Sequence, residues 1–171
     1  MKPRPAFNRI PDDESDFEGE LAGFSRLTAA VIDSCSIIYL DRLMLFAPLQ
    51  NATRLFIVPG VRQETGFPLS DCREVTGEHA CQMSVDQQIV AAARQLNTAV
   101  ISEDRHILRN AWEHDLPHYN SGMIICYLRW SGVLSGEQAC SALQQLDSFA
   151  RYAEPIHSYC RKLLLYIEKV V

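Results

Sequence analysis

Four acidic residues, Asp33, Glu64, Asp86 and Asp104, have the types and surroundings to do chemistry, although they are spread over more than seventy positions. Asp33 follows the apolar run Ala29-Ala30-Val31-Ile32, and Asp104 closes the stretch Ala99-Val100-Ile101-Ser102-Glu103-Asp104. Short apolar runs of this kind read as buried strands. In open α/β sheets the carboxyl ends of the strands form the binding crevice. Carboxylates gathered there repel one another and are costly to desolvate unless a cation joins them. The natural occupant is a hard divalent ion with oxygen ligands, Mg²⁺ or Mn²⁺.

The elements that must position these acids can be read along the chain. Leu27 to Asp33 forms a first strand, Ser36 to Phe46 an apolar helix, and Leu55 to Val58 a second strand. Pro59 suits a first helical turn that carries Glu64, and Gly66 and Pro68 stop that helix. Residues 66–82 read as loop. Ser84-Val85-Asp86-Gln87 has the form of a capping box, and Val85, Ile89, Ala92, Ala93 and Leu96 then recur at helical spacing. Thr98 to Ile101 is a third strand, Glu103 to Trp112 a helix, and Pro117 to Tyr119 a short edge strand. Helices follow near 122–131 and 136–150, with Ser121 and Ser135 as N-caps. Pro155 breaks the chain before a last helix over about 156–169. The alternation through residue 112 predicts a mainly parallel sheet of four or five strands, helices on both faces and right-handed crossovers. Asp33 and Asp104 then share one sheet edge, Glu64 follows the second strand, and Asp86 opens the helix leading to the third.

Each acid also has a structural reading. Asp33 can cap the helix after it. Asp86 and Asp104 sit near helix starts, where the macrodipole favours negative charge. Glu64 can be a solvated surface residue.

The chain has 171 residues, of which 47% are hydrophobic, enough for one domain with a sizeable core. No apolar run reaches the ~18 residues that span a bilayer, and the start lacks a secretory h-region. A cytoplasmic protein with no membrane partner is expected. The six cysteines show no CxxC pairing, which fits a reduced compartment. Cys72, His79 and Cys81 match no common zinc spacing. Residues 1–20 hold six acids and three bases, so residues 1–25 read as an acidic, disordered tail that folding does not need. The folded domain is expected over 26–171. Residues 21–171 hold fifteen acids and thirteen bases; with four acids on a metal the remaining surface is slightly basic and permits nucleic acid.

The order of these segments resembles the PIN-domain family of metal-dependent nucleases, which includes the toxin ribonucleases of toxin–antitoxin pairs. The likeness runs from about residue 28 to about 150. It rests on Val31-Ile32-Asp33-Ser34, on Val58-Pro59-Gly60-Val61-Arg62-Gln63-Glu64, on Asp86-Gln87-Gln88-Ile89-Val90-Ala91-Ala92-Ala93, and on Val100-Ile101-Ser102-Glu103-Asp104-Arg105. Cys35 stands where a small polar residue is more usual. The resemblance implies a three-layer α/β/α sandwich with further C-terminal helices. It implies Asp33, Glu64, Asp86 and Asp104 as catalytic, metal-holding acids, with Ser34 and Ser102 as hydroxyls that orient them. RNA phosphodiester hydrolysis would follow, with Arg105 and Arg109, four apart on one helix, gripping flanking phosphates. An antitoxin-like inhibitor would be a partner. Self-association is expected through the apolar segments 124–128 and 163–167.

Two other enzyme classes lack their chemistry. Lysine occurs only at Lys2, Lys162 and Lys169, far from Asp33, so a phosphoaspartyl enzyme lacks its usual lysine, and no Gly-Lys-Ser/Thr of a P-loop exists. The competing class is non-catalytic: a PIN-like fold kept to bind RNA or a protein.

Overall fold

Short runs of branched and small apolar side chains build the sheet. The computed structural model describes residues 15–66, 68–77 and 80–171. Helix α1 covers Ser15–Phe24, strand β1 Ala29–Ile32, α2 Ser34–Arg42 and α3 Phe46–Ala52. Then come β2 (Arg54–Ile57), α4 (Pro59–Thr65), β3 (Arg73–Glu74), α5 (Val85–Leu96), β4 (Ala99–Ile101) and α6 (Arg105–Glu113). The described chain closes with β5 (His118–Tyr119), α7 (Ser121–Trp130), α8 (Gly136–Phe149) and α9 (Glu154–Val170).

The five strands form one parallel sheet in the order β3-β2-β1-β4-β5. Ala30, Val31 and Ile32 of β1 and Val100 and Ile101 of β4 are fully buried, as central parallel strands must be. Register follows: Ile32 lies opposite Ile101, so the residues after them leave the sheet side by side. Helix α2 packs on α3 and α4, while α5 packs on α6, β1 and β4. This architecture is α/β and consistent with helical layers on both faces.

The described residues fall into two compact units, one of Leu27–Ser121 and one of the residues up to Arg26 with Gly122–Val171. The first unit holds the whole sheet. In the second, α1 overturns the expectation of a disordered tail for residues 15–25. Phe17, Leu21 and Phe24 recur at helical spacing, and Phe17 and Phe24 are buried. Phe17 meets Tyr159 and Tyr166 of α9, with ring centroids 5.8 and 5.5 Å away. Phe24 meets Tyr127 and Trp130 of α7. The two buried aromatic anchors, each meeting two further rings, tie the helix down despite its acidic composition. Residues 1–14 lie outside the described residues.

Other differences are local. The helix expected over 36–46 is two helices, because Met44 adopts a positive φ of 60° and breaks the run. Strand β3 falls inside the expected loop 66–82; two residues at an edge carry no periodic signal. Ser121 begins α7 instead of preceding it. Pro155 lies within the first turn of α9, where its missing N–H costs nothing. Ile124, Ile125, Cys126, Tyr127 and Leu128 are all buried within the chain, so segment 124–128 does not offer the apolar surface expected of it; in 163–167 only Leu165 is strongly exposed. All six thiols are free. Cys72 accepts from the Gln50 amide, and His79 lies outside the described residues. Among the described residues no helix is long and apolar enough to cross a membrane.

Candidate active site

The sheet order reverses between β1 and β4. The chain leaves β1 toward β2 and β3 on one side, then crosses to β4 and β5 on the other. At such a switch point the loops after the two strands part and leave a crevice at their carboxyl ends. Asp33 is the first residue after β1, and its N–H donates to the Ile101 carbonyl at the end of β4 (3.0 Å).

Asp33 is 5% exposed. Its Oδ1 accepts from the Ser36 N–H (2.7 Å), which makes it the N-cap of α2. Its Oδ2 accepts from the Ser102 hydroxyl (2.5 Å) and from the Glu103 N–H (3.1 Å). These donors are all neutral. Burial pushes the carboxyl's pKa above its ordinary range, against the opposing effect of the bonds from Ser102, Ser36 and Glu103. A buried carboxylate held by dipoles alone is still costly, and a cation would offset that cost.

Asp104 caps α6, with Oδ1 accepting from the His106 and Ile107 N–H groups (2.6 and 3.4 Å). Its own N–H donates to the Ser102 hydroxyl (3.0 Å), so Ser102 links Asp33 to Asp104. The structural reading of Asp33 as a cap therefore holds, and Asp104, expected near a helix start, is itself the N-cap of α6. Glu64, near the end of α4, accepts from the Ser34 hydroxyl at Oε2 (2.5 Å). Ser34 and Ser102 thus each donate to a carboxylate. Asp86 is exposed in the first turn of α5, behind a capping box formed by Ser84 and Gln87. Its helix start lies against α4: a Cβ on Gly60 would come within 2.4 Å of Val85 Cγ2.

Glu103 is the residue that sequence reasoning missed. Its Oε1 accepts from the Ser36 hydroxyl (2.9 Å), the Ser121 N–H (2.9 Å) and the Ser121 hydroxyl (2.5 Å). The signal for it was position: Ser102-Glu103-Asp104 leaves β4 together, and no periodicity tells which acid turns inward. Cys35 reports the gathering of acids. Its thiol pKa is raised by burial and then by the charges of Asp33, Glu103 and Glu64. Those three carboxylates therefore lie within electrostatic range of one thiol at the switch point. Arg109 is exposed and pairs with Glu113 one turn on (3.1 Å), and Arg105 begins the same helix.

The donors here are carboxylate and hydroxyl oxygens, the kind that Mg²⁺ and Mn²⁺ take. In kind they fit such an ion. Serine hydroxyls stand against three of the acids. Among the described residues, no three His, Cys, Asp or Glu side chains stand close enough together to share one ion.

No family model, curated protein or solved structure matches this chain.

Proposed function

We propose that this chain is a PIN-like, metal-dependent endoribonuclease that hydrolyses RNA phosphodiester bonds. The observation that carries the reading is the buried carboxylate of Asp33, held by neutral donors at the switch point of a parallel sheet, with Glu64 and Glu103 in electrostatic range of the neighbouring thiol. A three-layer α/β/α sandwich is the fold this reading assumes. Asp33, Glu64, Asp86 and Asp104 are the acids proposed to hold Mg²⁺ or Mn²⁺, and Glu103 joins them as a neighbour of Asp33. A bound ion of this type supplies an activated water and neutralises charge on the phosphoryl oxygens.

The chain's own residues do the rest. Ser102 and Ser34 fix the angles of the Asp33 and Glu64 carboxylates, as hydroxyls behind a metal site do. One carboxylate accepts the proton of the attacking water. Arg105 and Arg109 hold flanking phosphates; the exposed Arg109–Glu113 pair is weak enough to exchange for a phosphate. The proposal extends to a cytoplasmic toxin restrained by an antitoxin-like protein, with self-association of the toxin.

A second reading is favoured by a specific observation. Asp33 and Asp104 cap helices, and serines engage Glu64 and Glu103. A scaffold that only binds RNA or protein would use the acids in this way. Incubation with single-stranded and structured RNA in Mg²⁺ or Mn²⁺, against EDTA, separates the two. Cleavage that stops in EDTA supports the nuclease; binding without cleavage supports the scaffold.

A further inference from the structure

Beside α5 lies a groove of about 360 Å³ that the acid cluster does not use. Met83, Val90 and Ala91 are its apolar lining residues, and Gln82, Arg94, Asn110 and His114 are among its polar ones. Val90 is buried, Ala91 half-buried, and Arg94 and His114 are exposed. The side chains of Gln82, Arg94, Asn110 and His114 make no hydrogen bond or ion pair in the described structure. A chain of net charge −5 has here a concave site without a lining carboxylate.

That set of groups selects a ligand. The apolar lining of Met83, Val90 and Ala91 can pack against a heteroaromatic ring. The Gln82 and Asn110 amides each carry a donor and an acceptor, the pairing that reads the edge of a base. Arg94 supplies a forked cation suited to phosphate. The volume is that of a small-molecule site. The groove also reaches the first turn of α5 through Gln87, the residue after Asp86. The geometry points to a nucleotide-binding subsite: the groove holds one base and its phosphate from the RNA strand that passes the acid cluster. This inference rests on the nuclease reading for its biological use, but the groove itself does not need a metal.

The test is titration calorimetry of the full chain with 5′-AMP, GMP, CMP and UMP in EDTA, with thermal melts to check folding. The inference expects at least one nucleotide to bind the wild type. Arg94→Gln should weaken it about tenfold, the loss of one charged hydrogen bond. Asn110→Ala should change the ranking of the four bases. No binding by the wild type to about 10 mM, affinities at the weak end of any useful site, would overturn it. So would an Arg94→Gln variant that melts normally and binds equally. Nucleotide binding in a chain that cleaves no RNA would support the groove while removing the nuclease reading. Cleavage with no nucleotide binding would remove the groove alone.

Discussion

At the scale of single residues, three carboxylates of the site, Asp33, Glu64 and Glu103, each accept from a serine hydroxyl. Ser102 matters most, because its hydroxyl donates to Asp33 and accepts from the Asp104 N–H. Ser102→Ala leaves Asp33 Oδ2 with only the Glu103 N–H. The expected result is a loss of about 1–2 kcal/mol in a denaturant titration, the usual cost of a broken buried hydrogen bond. It should also raise the Asp33 pKa further, seen by following its carboxyl carbon by NMR. The placement of Asp33 at the end of a buried strand and the start of a helix was legible in the sequence, because it closes a short apolar run. Glu103 was not. Its role depends on Ser36 and Ser121, 67 and 18 positions away, which no local pattern connects.

At the scale of elements, close approaches set the placement of the acids. Helices α4 and α5 carry Glu64 and Asp86, and Gly60 lets them meet at Val85. At 2.4 Å from Val85 Cγ2, an added Cβ forces either the Val85 side chain or the helices to shift. Gly60→Ala should therefore cost about 1–3 kcal/mol, as overpacking does. Adding Val85→Ala should restore much of that loss, measured by thermal melts of the single and double variants. Helix α1 gives the second element-scale expectation. Phe17→Ala should destabilise the chain by about 3–5 kcal/mol, as buried aromatic truncations do. Removing residues 1–24 should lower the unfolding midpoint clearly, whereas a truly solvated tail would leave it unchanged. The strands, the α5 capping box and the Ser135 cap were readable because each has a local chemical signature. Helix α1 was hidden by its acids, and β3 by its shortness.

At the scale of the whole molecule, the half-buried His118 and the buried Asp33 give the stability opposite pH slopes. Burial lowers the His118 pKa from its ordinary 6.5, against the hydrogen bond to the Leu116 carbonyl. Its contribution is present above 6.5 and is lost as pH falls through the lowered folded value. His118→Gln should flatten the midpoint between about pH 7 and about pH 5, where an unfolded histidine titrates. Asp33 acts the other way, because its folded pKa is raised. Its contribution is fully present below its ordinary 3.8 and is lost as pH rises through the raised folded value. At neutral pH the buried charge is a cost that stability bears for the site. Asp33→Asn removes the charge and keeps the shape, so it separates function from folding more directly than any other change. The decisive measurement is RNA cleavage with Mn²⁺ by the wild type and Asp33→Asn, with the thermal midpoint of both taken in EDTA at neutral pH. The account predicts that cleavage falls by about a hundredfold or more, as loss of a group essential to catalysis does, while the midpoint stays level or rises. Cleavage that persists in Asp33→Asn, or that survives EDTA in the wild type, would contradict it.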